Sequence, residues 1–238
     1  MGRLLFAALL LLPGTVAAQD RADTPRTITV SAQGTIEREP EEGVVLLAVE
    51  SEARTARAAA DANAELMTRL VAALRAAGVP ERSIRTTSYE LRPEYRRQTE
   101  QTREPPTIAA YRAINMVQVT VDTVARMGRI IDTAIASGAN RVANISFRLR
   151  DAHAAHIEAV AVAMRNARRE AEAVAEAAGE RLGAALNINT GGFHAPPPPM
   201  PMYARAEMDM AAASTPIESG TLRVVATVTA VYELAGVR

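Results

Sequence analysis

The chain has 238 residues and a mass of 25.4 kDa, and its 27 acidic residues are balanced by 27 basic ones, all of them Arg. That balance argues against a dedicated nucleic-acid binder, and the absence of Cys excludes disulfides, zinc–thiolate sites, iron–sulfur clusters and a thiol nucleophile. No Trp, three Phe and five Tyr leave few platforms for stacking bases or sugars, whereas 48% hydrophobic residues are enough for a core and rule out global disorder.

The N-terminus reads as a secretory signal peptide. Arg3 supplies a positive start, Leu4 to Leu12 an apolar run, Pro13 and Gly14 a break, and Val16-Ala17-Ala18 the small residues of a cleavage site after Ala18. The apolar run is about nine residues, against roughly twenty for a bilayer span. No Cys follows, which excludes a lipoprotein anchor. The expectation is a periplasmic protein without a transmembrane span, in which residues 19–26 are a linker and 27–238 fold as one domain.

Residues 27–36 alternate, with Ile28, Val30 and Ala32 on one face, as a half-buried strand does. After a turn at Glu39–Gly43, the run Val44 to Val49 is apolar at every position, which predicts an interior strand covered on both faces. Residues 54–77 change to a helical period. The predicted buried stripe is Ala58, Ala62, Leu66, Leu70, Ala73 and Ala77, opposite Arg57, Asp61, Glu65, Arg69 and Arg75. Gly78 ends this helix, and Ile84 to Leu91 returns to a strand. Residues 93–107 are polar and broken by Pro, and read as an exposed loop.

A long strand follows at 108–121, then a second helix at 123–137 with Met127, Ile130, Ile131, Ala134 and Ile135 inward. Val142 to Leu149 is a strand that should turn Ala143, Ile145, Phe147 and Leu149 to the core. The third helix, 152–178, carries Ile157, Val160, Met164, Ala167, Ala171, Val174 and Ala178 at alternating spacings of three and four. Its Arg165, Arg168 and Arg169 are interleaved with Glu170, Glu172 and Glu176, the pattern of a solvated face. Leu186 to Thr190 is a short strand, 191–220 a loop rich in Pro, Met and Ala, and Leu222 to Leu234 the last strand.

All three helices end in a small residue followed by Gly, at Gly78, Gly138 and Gly179. Residues 44–91 and 111–149 are two strand–helix–strand units of similar plan. The predicted fold class is α+β: a largely antiparallel sheet with three helices, of which the long third one is followed by the C-terminal strand.

Several segments in fixed order carry a resemblance. They are Val30-Ser31-Ala32-Gln33-Gly34, Ala77-Gly78-Val79, Ile84-Arg85-Thr86 leading to Leu91-Arg92-Pro93-Glu94-Tyr95, and Ala110-Tyr111-Arg112-Ala113. Ile130-Ile131-Asp132-Thr133-Ala134, Gly138-Ala139-Asn140, Ala178-Gly179-Glu180-Arg181-Leu182-Gly183 and Ser219-Gly220-Thr221-Leu222 complete the set. In order and spacing the chain resembles the SIMPL domain family of bacterial exported proteins over residues 27–234. It departs from the family pattern at two turns, with Pro40-Glu41 for the usual Pro-Asp and Ser219-Gly220 for the usual Pro-Gly. The resemblance implies an α+β domain in the periplasm or at the outer membrane, a tendency to form homo-oligomers, and a part in stress resistance. It offers no catalytic residues to carry over.

The residues themselves offer little chemistry. No Ser lies in a Gly-x-Ser-x-Gly elbow, and Gly191-Gly192 lacks the Lys and helix of a phosphate loop. His153 and His156 share a helical face and, with Asp151 or Glu158, form a weak metal candidate. Met200, Met202, Met208 and Met210, with His194 nearby, are soft ligands of the kind that suit Cu(I). The leading expectation is a non-enzymatic exported protein without a cofactor, acting through self-association and peripheral contacts in the envelope. Loops 93–107 and 191–220 are its expected contact surfaces, and a copper-handling Met loop is the alternative.

Overall fold

The computed structural model describes residues 26–96, 105–192 and 215–236. The expected signal peptide at 1–18, nearly all of the expected linker and the centres of both predicted loops lie outside these residues. The elements in chain order are β1 (Thr27–Arg38), β2 (Glu42–Ala53), α1 (Ala56–Ala76), β3 (Ile84–Tyr95) and β4 (Ile108–Val121). They are followed by α2 (Met127–Ala136), β5 (Arg141–Arg148), α3 (Ala152–Ala177), β6 (Glu180–Asn189) and β7 (Leu222–Gly236).

The strands pair antiparallel throughout and divide into two sheets, ordered β3-β4-β2-β5 and β1-β7-β6. β2 and β3 both run against β4, so they are parallel to each other, and β4 and β5 are related in the same way through β2. The two strand–helix–strand units therefore interlock, each leaving a gap that the other fills. This is the split βαβ arrangement, with both helices on one face. The whole unit is inserted between β1 and α3, and the chain closes when β7 pairs with β1 along its full length, from Thr27↔Glu233 to Arg38↔Leu222.

Helix α3 packs on β1 and β7 through Ala155, Ala159, Ala163, Ala167, Ala171 and Ala175, one alanine every fourth residue. The cause lies in the sheet. A Cβ placed on Gly34 of β1 would overlap the Ala159 carbonyl and the Ala163 amide, so helix and strand meet backbone to backbone. Only the smallest side chains fit such a contact. The expected seam of larger residues is corrected accordingly. Ile157 and Val174 are exposed, Val160 and Met164 are half-buried, and Ala178 is exposed beyond the helix end. Gly78, Gly138 and Gly179 take positive φ angles of 85°, 125° and 72°, as their helix-ending role requires.

Helix α1 buries Ala59, Asn63, Met67, Leu70 and Leu74. Of the predicted stripe Leu70 is buried and Leu66, Ala73 and Ala77 are half-buried, but at its start the buried row lies one position on, and Ala58 and Ala62 are exposed. A buried amide decides the rotation. Asn63 Nδ2 donates to the carbonyls of Val49 on β2 at 2.8 Å and Ala113 on β4 at 3.2 Å, pinning the helix across both strands. Hydrophobic periodicity passes over a polar residue whose amide donors the core satisfies in this way.

Three further expectations change. Val45, Leu47 and Val49 of β2 are fully buried under α1 and α2, but Val44 and Leu46 on the opposite face are only half-buried. The cross-strand neighbours on that face are polar, Thr120 and Ser146 beside Val44 and Gln118 and Asn144 beside Leu46. Ala143 is exposed because β5 bulges there, with Leu46 opposite Asn144 and Leu47 opposite Val142. Ile135, expected inward, is exposed at the C-terminal turn of α2.

Beyond the bulge, Asn140 extends the pairing of β5 with β2. Its side-chain amide accepts from Glu50 N at 2.8 Å and donates to Glu50 O at 2.7 Å, in the manner of a strand residue. Residues 215–221 run back over α2, where Asp132 accepts from the Thr215 amide at 3.1 Å and its hydroxyl at 2.6 Å. Ile217 then reaches the larger core.

Candidate functional site

The sites expected from sequence fare differently. Met200, Met202, Met208, Met210 and His194 lie outside the described residues. His153 and His156 are not brought together on a solvent face: His153 is exposed, while His156 is buried beside Ala155 and Ala159. Their proposed companions are engaged elsewhere. The Asp151 carboxylate accepts from Ala154 N at 2.8 Å and caps α3, and Glu158 pairs with Arg38. Among the described residues no group of three His, Asp or Glu is placed to hold a metal ion.

Each sheet has two edge strands among the described residues, and β3 and β6 are edges that bear exposed apolar side chains. β3 is an edge strand with Tyr89, Leu91 and Tyr95 exposed, and Ile108 is exposed opposite Tyr95 at the root of the 93–107 segment. This strand runs four residues further than Leu91, into the segment expected to be loop. β6 is an edge strand of the second sheet. It begins at Glu180, well before the predicted Leu186, and exposes Leu186 and Ile188 just before the 191–220 segment. Its pairing with β7 slips twice, between Leu182 and Ala185 and between Ala185 and Asn187. An edge strand offers unpaired backbone groups to a further strand, so each edge combines hydrogen-bonding capacity with apolar contact.

Two clefts lie between helix and sheet. Between α1 and β4 is one of about 470 Å³, lined by Met67, Thr68, Val71 and Asn115. The buried Oδ1 atoms of Asn63 and Asn115 have no hydrogen-bond partner among the described residues. Between α3 and β6 lies one of about 350 Å³, lined by Met164, Arg165, Arg168, Leu182, Ala185 and Tyr232, with the bulged Gly183–Ala184 as part of its wall. Sequence reading missed this second site because Arg165 and Arg168 look like members of a mixed solvated face; their neighbours come from distant strands.

The uncovered face of the four-stranded sheet is polar in a different way. Arg112 bridges Glu52 at 3.1 Å and Glu94 at 3.3 Å, Glu94 also meets Arg92 at 3.3 Å, and Arg141 pairs with Glu50 at 2.7 Å. The hydrogen bond to Glu52 and the charge of Glu94 raise Arg112 above the ordinary guanidinium value. Ile114 and Ala48 are buried beneath this lattice.

With the fold and surfaces in place, comparison with known proteins is decisive for family. The family described as SIMPL, a protein of unknown function (DUF541), matches residues 28–232. The chain belongs to the SIMPL family. Similar proteins include the 26 kDa periplasmic immunogenic proteins of Brucella abortus (strain S19) and Brucella melitensis biotype 1. Each is 28% identical over 228 residues, covering 94% of this chain and 90% of the relative. The uncharacterized protein YggE of Edwardsiella ictaluri is 24% identical over 207 residues, covering 85% of both chains. The SIMPL match runs from the second residue of β1 to Tyr232 of β7, so it takes in both sheets. Among the described residues no helix is long and apolar enough to cross a membrane.

Proposed function

We propose that this SIMPL protein works in the periplasm as a non-catalytic envelope component that self-associates through its free sheet edges. The observation that carries the reading is the exposure of Tyr89, Leu91, Tyr95 and Ile108 at one edge and Leu186 and Ile188 at the other. Both groups stand at the roots of the two segments expected to make contacts. The periplasmic location draws support from the name of the Brucella relatives and from the signal-peptide pattern ending at Ala18.

Native mass spectrometry and light scattering of the exported protein test the reading. The expected result is a defined multiple of the monomer mass, lowered by Leu186→Lys/Ile188→Lys or by Tyr95→Lys/Ile108→Lys. A monomer at every concentration for the unaltered protein overturns it. An intact mass that includes residues 1–18 overturns the export and cleavage assignment. The stress-resistance role requires that a deletion strain survive peroxide less well than its parent. Copper handling is separated by Cu(I) titration: equal affinity of the unaltered chain and a Met200/Met202/Met208/Met210→Leu variant is the outcome expected here, and loss of tight binding in the variant would favour the Met loop.

A further inference from the structure

The cleft between α3 and β6 has the makings of a ligand site. Tyr232 is 5% exposed, and its ring belongs to the core cluster with Ile28, Val30 and Ala230. It also lines the cleft. Arg165 and Arg168 of α3 line it as well. Arg168 donates to Glu172 at 2.8 Å, which offsets its charge, while Arg165 makes no ion pair among the described residues. The Glu172 hydrogen bond and charge, with Tyr232 adding to them, raise the Arg168 pKa, which sets the phenol near that guanidinium. The rest of the lining is Met164, Leu182, Ala184 and Ala185, all apolar.

The wall opposite the helix is also unusual. Leu182 faces Leu234 and Ala185 faces Tyr232, so Gly183 and Ala184 span a stretch with one residue more than its partner strand and have no assigned partner on β7. Gly183 lies close to the partner strand, where a Cβ would come to 3.0 Å from the Glu233 carbonyl oxygen. The bulge leaves the space between strand and helix that the cleft occupies.

We infer that the α3–β6 cleft binds an amphiphilic carboxylate, with the carboxylate held by Arg165, Arg168 and the Tyr232 hydroxyl and the apolar body laid over Met164, Leu182 and Ala185. The charge balance selects the headgroup. With Arg168 already offset by Glu172, one uncompensated cation remains, which matches a monoanion better than a doubly charged phosphate ester. The phenol hydroxyl supplies a directional donor and the apolar lining a place for a short chain.

Isothermal titration of the exported full chain with octanoate tests this, with octanol as the uncharged control and octyl phosphate as the dianionic one. Expected is saturable one-to-one binding of octanoate, stronger than that of either control. Arg165→Gln/Arg168→Gln should weaken it about tenfold, the loss of charge-assisted hydrogen bonds. Tyr232→Phe, which keeps the packed ring, should weaken it severalfold. Ala185→Phe fills the cleft while leaving both guanidinium groups in place, and should abolish binding. The proposal is overturned if octanoate does not saturate, if octanol or octyl phosphate binds as well, or if the Arg variant binds octanoate unchanged. Its failure would leave the self-association reading standing, because that one is read from mass and from Leu186 and Ile188.

Discussion

Gly34 of β1 lies directly under Ala163 of α3, with no room between them for a methyl group. The obstruction is backbone, which cannot rotate aside. Gly34→Ala should therefore lower stability by about 3 kcal/mol, the upper part of the range for overpacking. Urea denaturation measures it. A loss under about 1 kcal/mol would mean that α3 slides on the sheet more readily than its alanine row suggests.

Asn63 gives a second prediction, with a pH signature. Asn63→Ala removes both donors to Val49 and Ala113 and should lower stability by about 2 kcal/mol. Asn63→Asp should be worse near neutral pH, because a buried anion faces two carbonyl oxygens. Burial and those oxygens would raise the carboxyl pKa in the folded state, so the unfolded chain releases its proton first as pH rises. The variant should accordingly recover stability as pH falls, once the acid can donate to one carbonyl. Thermal melts from pH 7 to pH 5 check the sign of the difference from the unaltered protein.

Arg112 should behave in the opposite way. Its guanidinium value is raised in the fold by Glu52 and Glu94, so the stabilisation is fully present below the ordinary Arg range and is lost only above it. The stability difference between the unaltered chain and Arg112→Gln should stay flat from about pH 7 to about pH 10. It should shrink in about 1 M salt, since all the partners are partly exposed.

The segment after Ser214 is held by Asp132 through two hydrogen bonds to Thr215. Asp132→Ala should lower global stability by about 1 kcal/mol and make residues 215–221 a preferred protease site. Limited proteolysis followed by mass mapping reads the effect. Equal cleavage rates would show that Ile217 alone holds the segment down.

Much of the architecture was legible because it rests on local rules. The bounds of β4, the inward face of β1, and the glycines at 78, 138 and 179 follow from alternation and from the conformation a helix end needs. Failures came where partners distant in sequence decide. The seam of α3 depends on Gly34, which leaves space only for alanine. The rotation of α1 depends on carbonyls of β2 and β4 that Asn63 finds. The α3–β6 cleft joins Arg165 and Arg168 to Tyr232, and nothing in the charge pattern of one helix indicates that meeting. The Met segment shows the other side: it is conspicuous as sequence, yet Met200 to Met210 lie outside the described residues.

β1 and β7 hold each other at opposite ends of the chain. During synthesis β1 emerges well before its partner, with the four-stranded unit and α3 made in between. The inserted βαββαβ unit can close on itself in the interval, since its four strands pair only among themselves. β1 meanwhile has its inward row, Ile28, Val30 and Ala32, with nothing to cover it until α3 and then β7 arrive. The molecule thus has a built-in waiting period in which its first strand needs shelter, and any factor that escorts the nascent or exported chain would find its target at residues 27–38.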